Sequence, residues 1–378
     1  MSWSTRLARA GILAITLAFL ATCGESGGSR SGKPPPPPPP PPPAGFDFLE
    51  AGFDGALLHT GLDVPVKMAL APDGRLFFNE LRMGNVRVID ATGQLLPTPF
   101  ATLAVLQGAE QGLLGIALDP GFSTNGYVYV VPCSPSPDRM RVVRYTDVGN
   151  FGTAETTIID NLPVGVINNA GDIQFALDGT MFLSIGDYDI PALAQTDGEM
   201  AGRVHRFNTD GTIPIDNPDP TSSEWVRGLR NSFDLAVHPT TGYLFGSENG
   251  PTSDDEINVM IGGRNHEWPS LPPGFPGSQI GLRVIRWSPV IVPTGIAWHD
   301  GTSFGPEYAD NLFVAGYDDN DVRRLVLIGW APSDINIELP FAQFEDRGID
   351  NKPLDIVVAP DGSLYVSTFT GIWRIWKI

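Results

Sequence analysis

The sequence predicts an all-β fold, a six-bladed β-propeller with four antiparallel strands in each blade. Three observations support this prediction. Six segments each join an apolar strand, a tight turn and a second strand rich in β-branched or aromatic residues. The turns recur at spacings of 46, 59, 61, 61 and 61 residues. After Pro43 no stretch carries a long apolar pattern of helical period, so helices should be minor.

The six segments follow one another from residue 65 to the C-terminus. Their anchors are Asp73, Asp119, Asp178, Pro239, Asp300 and Asp361. An Asp-Gly pair between apolar runs is a strong hairpin signal, and each period is long enough for four strands and their loops. A parallel β-helix would repeat at a shorter period and a sandwich would not repeat, so a propeller is the favoured repeat architecture.

Residues 1–22 are interpreted as a lipoprotein-type signal peptide. Arg6 and Arg9 precede an apolar run from Ala10 to Leu20, which is too short to span a bilayer. The run ends at Cys23 in a context similar to a bacterial lipobox, which predicts an exported, periplasmic or cell-surface protein with an outer-membrane lipid anchor through Cys23. The alternative is an ordinary secretory signal with an incidental cysteine.

Residues 23–43 are predicted to form a tether to the propeller, which would occupy residues 44–378. The tether begins rich in glycine and serine and ends in ten consecutive prolines, Pro34 to Pro43. Polyproline II rises about 3.1 Å per residue, so this run makes a stiff spacer of roughly 30 Å.

Charge and cysteine content exclude several classes of partner and bond. Removing residues 1–22 would change the formal net charge from −19 to −21, because the segment holds two arginines and no acid. Such an acidic protein is not expected to bind nucleic acid or anionic lipid. Cys23 and Cys133 are the two cysteines, so a lipidated Cys23 leaves no intrachain disulfide.

Five motifs occur in order along the predicted propeller. They lie within 110–122, 171–187, 202–214, 228–258 and 265–269 and include Gly-Leu-Leu-Gly, Ile-Gly-Asp, Asp-Gly-Thr-Ile-Pro, Arg-Asn with Asp-Asp-Glu-Ile-Asn, and Asn-His-Glu-Trp-Pro. In this order they resemble the glucose/sorbosone dehydrogenase family. The resemblance implies a pyrroloquinoline quinone (PQQ) enzyme that uses Ca²⁺ and oxidises a small sugar at the propeller mouth.

The resemblance also implies roles for individual positions. It places catalytic positions at Asn168, Asp187 and Arg230, and contacts to PQQ at Glu110, Arg230, Asn231 and Lys352. It places the catalytic Ca²⁺ on the main-chain carbonyls of Gly250 and Pro251, and a second, structural Ca²⁺ on Glu256 and the main chain at His266. Each of these assignments has a structural alternative. Asp254-Asp255-Glu256 could be a solvated acidic turn, and Arg230-Asn231 could be a structural pair that caps loops at the propeller mouth.

Three positions depart from the family pattern. Asn168 stands where the family has its histidine base, and an amide is not basic enough to accept a hydroxyl proton. Asp187, which would orient that histidine, is retained. The fifth-blade lysine is replaced near Asp318, and Lys352 keeps one of two expected cations. The five histidines, His59, His205, His238, His266 and His299, are not expected to replace the missing base.

Three functions remain open at this point. The first is a PQQ-dependent aldose sugar dehydrogenase in which Asp187, or a water held by Asn168 and Asn169, is the base. The second is a redox-inactive cell-surface propeller that binds carbohydrate or protein. The third is a Ca²⁺-dependent lactonase-type hydrolase, which rests on fold analogy alone. The sugar, the electron acceptor and the oligomeric state are not predicted.

Overall fold

A computed structural model describes residues 44–301, 303–328 and 337–378 of the chain. The predicted signal peptide, Cys23 and the proline tether lie outside the described residues. In the part that is described, no helix has the length and apolar character needed to cross a membrane.

Twenty-five strands make up almost all of the regular structure that is described. The first fourteen are β1 (Phe46–Leu49), β2 (Phe53–Thr60), β3 (Pro65–Leu70), β4 (Leu76–Glu80), β5 (Asn85–Ile89), β6 (Ala101–Thr102), β7 (Leu113–Leu118), β8 (Tyr127–Ser134), β9 (Arg139–Val148), β10 (Phe151–Leu162), β11 (Ala170–Phe175), β12 (Met181–Ile185), β13 (Arg203–Phe207) and β14 (Glu224–Arg227).

The remaining strands continue the same antiparallel pattern. They are β15 (Leu235–Val237), β16 (Leu244–Glu248), β17 (Asp255–Val259), β18 (Leu282–Trp287), β19 (Pro293–His299), β20 (Asn311–Gly316), β21 (Asp321–Val326), β22 (Ile337–Phe344), β23 (Pro353–Val358), β24 (Leu364–Thr368) and β25 (Gly371–Lys377). The described helices are short: α1 (Phe122–Asn125) and three 3₁₀ turns at Pro191–Gln195, Gly277–Gln279 and Pro306–Tyr308.

The strands form six antiparallel sheets, which confirms the predicted propeller. Blades one to four are β3–β6, β7–β10, β11–β14 and β15–β18, each in chain order. Blade five is β19–β22, and blade six is β23–β25. The innermost strands β3, β7, β11, β15, β19 and β23 contact one another in sequence, and β23 contacts β3, so the ring is closed.

The N-terminal strands complete the last two blades. β2 pairs with β25, from Phe53 opposite Lys377 to Thr60 opposite Gly371, and supplies the fourth strand of blade six. β1 pairs with β22 and adds a fifth strand to blade five, where the sequence predicted four. Joining both ends of the chain in one blade resists opening of the ring.

The predicted turns form as local chemistry dictates. Gly74 and Gly179 have φ of +88° and +84°, which residues with a Cβ rarely adopt. The preceding aspartates fix these turns, because Asp73 Oδ1 accepts the Arg75 N–H at 3.1 Å and Asp178 Oδ1 accepts the Thr180 N–H at 2.9 Å.

The hydrophobic core is divided among the gaps between neighbouring blades. Phe77 and Val130 meet between blades one and two, and Phe245 and Leu312 meet between blades four and five. Each fully buried side chain of this size contributes about 1.5–3 kcal/mol of transfer free energy. Packing therefore fixes the angle between neighbouring blades, and it also fixes the positions of the loops at the ends of the blades.

A buried ionic cluster lies where four inner strands approach the propeller axis. We call it the axial cluster, and its members are Lys67, Asp172, Asp234 and Asp355. Lys67 Nζ is hydrogen-bonded to Asp234 and lies 3.7 Å from Asp172 Oδ1 and 3.6 Å from Asp355 Oδ1.

The three carboxylates of the axial cluster also join blades. Asp172, Asp234 and Asp355 each accept a main-chain N–H from the next inner strand, at 3.0, 2.6 and 2.7 Å respectively. Burial raises the pKa of Asp355 to about 7, whereas Lys67 opposes that rise. Burial alone would lower the pKa of Lys67, but the three carboxylates raise it above its ordinary value.

Candidate active site at the propeller mouth

The topology brings the predicted site residues to one end of the propeller. Loops that precede an innermost strand and loops that follow a second strand lie at the same end of antiparallel blades. Glu110 and Asn168 precede β7 and β11, and Asp187 and Gly250 follow β12 and β16. Motifs that are distant in sequence therefore share one face, which we call the mouth.

A central cavity of about 320 Å³ opens at the mouth. Residues from all six blades line it, among them Arg82, Glu110, Ala170, Asn249, Tyr317 and Phe369. Asn231 also lines it, and the side-chain oxygens of Asn231 and Asn249 are buried without a hydrogen-bond partner among the described residues. Buried polar atoms normally have a partner, so these two oxygens are available to accept a hydrogen bond from a ligand in the cavity.

Asp187 is fully buried beside the cavity and holds in place one predicted site residue, Asn168, and one residue of the motif at 265–269, Trp268. Its Oδ1 accepts the Asn168 side-chain N–H at 2.8 Å, and its Oδ2 accepts the Trp268 indole N–H at 2.9 Å. The Asp189 main-chain N–H also donates to Oδ1, at 2.8 Å. Asp187 therefore orients Asn168 and Trp268.

Glu110 packs against the other side of Asn168. Its Oε2 accepts the Asn168 main-chain N–H at 2.7 Å. Burial raises the pKa of Glu110, and the nearby Asp187 charge adds to that rise; hydrogen bonding by Asn168 and the charge of Arg230 oppose it. The structure thus places a carboxyl group with a raised pKa on the wall of the central cavity.

Arg230 and Asn231 connect the central cavity to blade four. Arg230 Nη1 donates to the carbonyls of Asn249 at 2.9 Å and Gly250 at 3.4 Å, and its guanidinium lies 6.0 Å from the Trp268 ring. The main-chain N–H groups of Arg230 and Asn231 both donate to Glu248 Oε1. This carboxyl group fixes the turn that carries Arg230.

A second cavity of about 520 Å³ lies on blade four, and we call it the blade-four cavity. It adjoins the central cavity, because Arg230 and Gly250 line one while their neighbours Asn231 and Asn249 line the other. All four positions assigned to metal binding line the blade-four cavity: Gly250, Pro251, Glu256 and His266. Within the described ranges, no cluster of three or more His, Cys, Asp or Glu side chains could hold a metal.

The side chains at the second proposed metal position have partners of their own. Glu256 Oε1 pairs with Arg283 Nη1 at 2.9 Å, and Glu256 Oε2 accepts the Asn258 side-chain N–H at 3.2 Å. Burial raises the pKa of Glu256. Burial also lowers the pKa of His266 to about 3, and its Nε2 has no partner among the described groups.

The positively charged groups near the central cavity include Arg230 and Lys352, which the sequence suggested, and Arg82, which it did not. Lys352 Nζ donates to the Asp318 carbonyl at 2.8 Å and lies 5.4 Å from the Tyr317 ring, which lines the cavity. Arg82, which sequence reasoning missed, lines the cavity directly and lies 5.5 Å from the Phe369 ring. Its position after the second strand of blade one was the available signal.

All five histidines are in the described part of the chain, and none lines the central cavity. His59 is on the outer strand β2, and His205 is buried between Ser223 and the Met200 carbonyl. Cys133 is buried with a free thiol.

The geometry first defines the class: a six-bladed propeller whose blades converge on one central cavity, lined mostly by apolar side chains and, among the described residues, by the single cation Arg82. The chain belongs to the Glucose / Sorbosone dehydrogenase family, whose model matches residues 62–371. The resemblance seen in the motifs is thereby confirmed, and the protein is an aldose sugar dehydrogenase-like propeller.

Named relatives support the same family. The chain is 26% identical to Aldose sugar dehydrogenase YliI of Escherichia coli, over 85% of this chain and 91% of the relative. It is 30% identical over 253 residues to Quinoprotein glucose dehydrogenase B of Acinetobacter calcoaceticus, covering 58% of this chain and 53% of the relative. A PQQ-bound aldose sugar dehydrogenase from Streptomyces coelicolor matches with a TM-score of 0.72 and 26% identity, over 87% of this chain and 99% of that one.

Proposed function

We propose that this protein is a PQQ-dependent dehydrogenase that oxidises an aldose hydroxyl at the propeller mouth. The observation that carries the proposal is the central cavity with its two unpartnered amide oxygens, Asn231 Oδ1 and Asn249 Oδ1. The quinoprotein relatives lend support, and they do not favour the redox-inactive binder.

The residues of the cavity fit a planar, anionic quinone. The central cavity has a volume of about 320 Å³, and its walls include the aromatic rings of Phe233, Tyr317 and Phe369. Arg82 lines it, while Lys352 and Arg230 lie beside it. We infer that Arg82, Arg230 and Lys352 hold the carboxylates of the cofactor, and that Asn231 contributes its side-chain amide.

PQQ would supply a two-electron acceptor at the mouth. The chain's own residues would bind the sugar against it and orient the reacting hydroxyl. Asp187 fixes the side chains of Asn168 and Trp268, and Glu248 fixes the turn of Arg230, so these polar groups beside the cavity are preorganised.

We infer that Ca²⁺ binds the main-chain carbonyls of Gly250 and Pro251, which line the adjoining cavity. Oxygen ligands of this kind suit a hard cation. Arg230 donates to the Gly250 carbonyl across 3.4 Å, and a carbonyl oxygen has two lone pairs, so one remains for the metal. Glu256 and the His266 main chain remain the proposed second site.

We further propose that residues 1–22 direct export and that Cys23 carries a lipid anchor, placing the propeller in the periplasm or at the cell surface. Mass spectrometry of the mature N-terminus from the native host tests this part. A diacylated Cys23 is the expected result, and an unmodified N-terminus beyond residue 23 would contradict it.

Calorimetric titration of the purified full chain with PQQ, with and without Ca²⁺, tests the central proposal. Micromolar or tighter binding that requires Ca²⁺, followed by sugar-dependent dye reduction, is the expected result. A chain that binds no PQQ under either condition would exclude the dehydrogenase function.

A further inference from the structure

Glu110 occupies a distinctive place in the central cavity. Of the described residues that line it, Glu110 is the only one with a carboxyl group, and none is a histidine. It lies immediately before β7, and its Oε2 is held by the Asn168 main-chain N–H at 2.7 Å. The carboxyl group is therefore both positioned and in contact with the space where a substrate would bind.

The alternative proton acceptors near the mouth are poorly placed. Asp187 is fully buried, and both of its oxygens accept hydrogen bonds, from Asn168, Asp189 and Trp268. It does not line the central cavity. Asn168 offers only an amide, which is not a base near neutral pH. Direct abstraction by Asp187, one of the two bases expected from the sequence, would require these contacts to break.

We propose that Glu110 is the general base of the oxidation, replacing the histidine that position 168 lacks. This inference rests on the proposed dehydrogenase function. The sugar hydroxyl proton passes to the Glu110 carboxylate. The hydrogen on the same carbon leaves with both bonding electrons to the quinone cofactor, so the C–OH group becomes C=O. Glu110 then returns its proton to water at the open mouth.

The surroundings of Glu110 suit this role. Burial raises the pKa of its carboxyl group, which makes the carboxylate a stronger base than an exposed glutamate. The charged groups that face it are Asp187, which adds to the rise, and Arg230, which opposes it; Arg82 lines the same cavity. Activity should therefore require the deprotonated form and should be lost as pH falls through this raised pKa.

The primary test is Glu110→Gln, in which an amide oxygen can still accept the Asn168 N–H. Loss of a general base lowers kcat about 10²–10⁴-fold. We expect Glu110→Gln to show this loss of kcat. Its PQQ affinity, measured by absorbance titration, should stay within about threefold of the wild-type affinity. The acidic limb of the pH–rate profile should also disappear. Glu199→Gln, on an exposed turn, is the matched control and should change none of these quantities.

Two further readouts separate a base from a structural residue. Asn168→His in the Glu110→Gln background places an imidazole beside Asp187, and recovery of kcat by at least about tenfold would support a missing base. Infrared titration of the protein without PQQ should show a carboxyl group with a raised pKa that is absent from Glu110→Gln.

The outcomes distinguish this inference from the proposed function. An active wild type together with an equally active Glu110→Gln that keeps its acidic limb overturns the role of Glu110 and leaves the dehydrogenase intact. Equal loss of PQQ affinity and kcat in Glu110→Gln also overturns it, because Glu110 would then act in cofactor binding. A wild type that binds PQQ but oxidises no aldose contradicts the proposed function and the inference that rests on it.

Discussion

Asn168 donates its side-chain N–H to Asp187 Oδ1 at 2.8 Å, and both side chains are buried. Asn168 has a φ of +52°, a conformation in which asparagine, aspartate and histidine are enriched among non-glycine residues. The backbone at position 168 is therefore compatible with asparagine or histidine. An asparagine at this position forms the hydrogen bond to Asp187 but offers no basic nitrogen.

Asp187→Asn should destabilise the protein by about 1–3 kcal/mol, because a buried donor loses its acceptor. Asp187 accepts from Trp268 on one oxygen and from Asp189 on the other. Whichever way an amide is turned, one of these N–H groups would face an NH₂ group. Denaturant unfolding measures the change, and Asp138→Asn on an exposed turn is the control, with an expected change below about 0.5 kcal/mol. Equal stability of both variants would show that the buried N–H groups do not depend on Asp187.

Arg82→Ala should weaken PQQ binding about 10–100-fold, because a hydrogen bond to a charged group contributes about 1.5–3 kcal/mol. Arg82 is exposed and lines the central cavity, so its removal should leave the unfolding midpoint unchanged. Absorbance titration with PQQ at two salt concentrations measures the effect. Arg139→Ala is the matched control, since Arg139 pairs with Asp160 on blade two. Unchanged affinity in Arg82→Ala would remove Arg82 from the cofactor site.

The sequence predicted the blades better than it predicted the mouth, for a physical reason. Turns such as Asp73-Gly74 are encoded by a few adjacent residues, so the repeat is visible without the structure. The cavity instead depends on residues far apart in the chain. Arg82 of blade one and Phe369 of blade six lie 5.5 Å apart there only because β23 contacts β3 and closes the ring. The motif at 110–122 pointed to Glu110, whereas no local motif pointed to Arg82.

Lys67→Met should destabilise the propeller strongly, because it leaves three buried carboxylates without their cation. Removing one partner of a buried ion pair costs about 3–5 kcal/mol. Burial already raises the pKa of Asp355 to about 7 and that of Asp234 above its ordinary value, with Lys67 opposing both shifts. Without Lys67 these aspartates should take up protons more readily. The loss of stability in Lys67→Met should therefore be larger at pH 8, where they are charged, than at pH 5.5.

Denaturant unfolding at both pH values tests the axial cluster. Lys67→Met combined with Asp234→Asn removes one of the repelling charges and should recover part of the stability at pH 8. A loss that is the same at both pH values, with no recovery in the double variant, would show that packing of the lysine stem matters more than its charge.

His205→Gln should reduce the acid sensitivity of folding. His205 is buried, and burial lowers its pKa to about 4, whereas a histidine in the unfolded chain has a pKa of about 6.5. Between these values the unfolded chain binds a proton that the folded protein does not. His205 therefore makes stability fall as pH drops from about 6.5 to 4, by up to about 1.4 kcal/mol per pH unit.

Thermal or denaturant unfolding across this pH range isolates the contribution of His205, because the other histidines are unchanged in the variant. At pH 7 the glutamine variant should be less stable by about 1 kcal/mol, since a single amide cannot keep both contacts, to Ser223 and to the Met200 carbonyl. As pH falls, the two stability curves should converge and then cross, because only the wild type has to exclude a proton from position 205. Curves that stay parallel down to pH 4.5 would place the acid-sensitive group elsewhere.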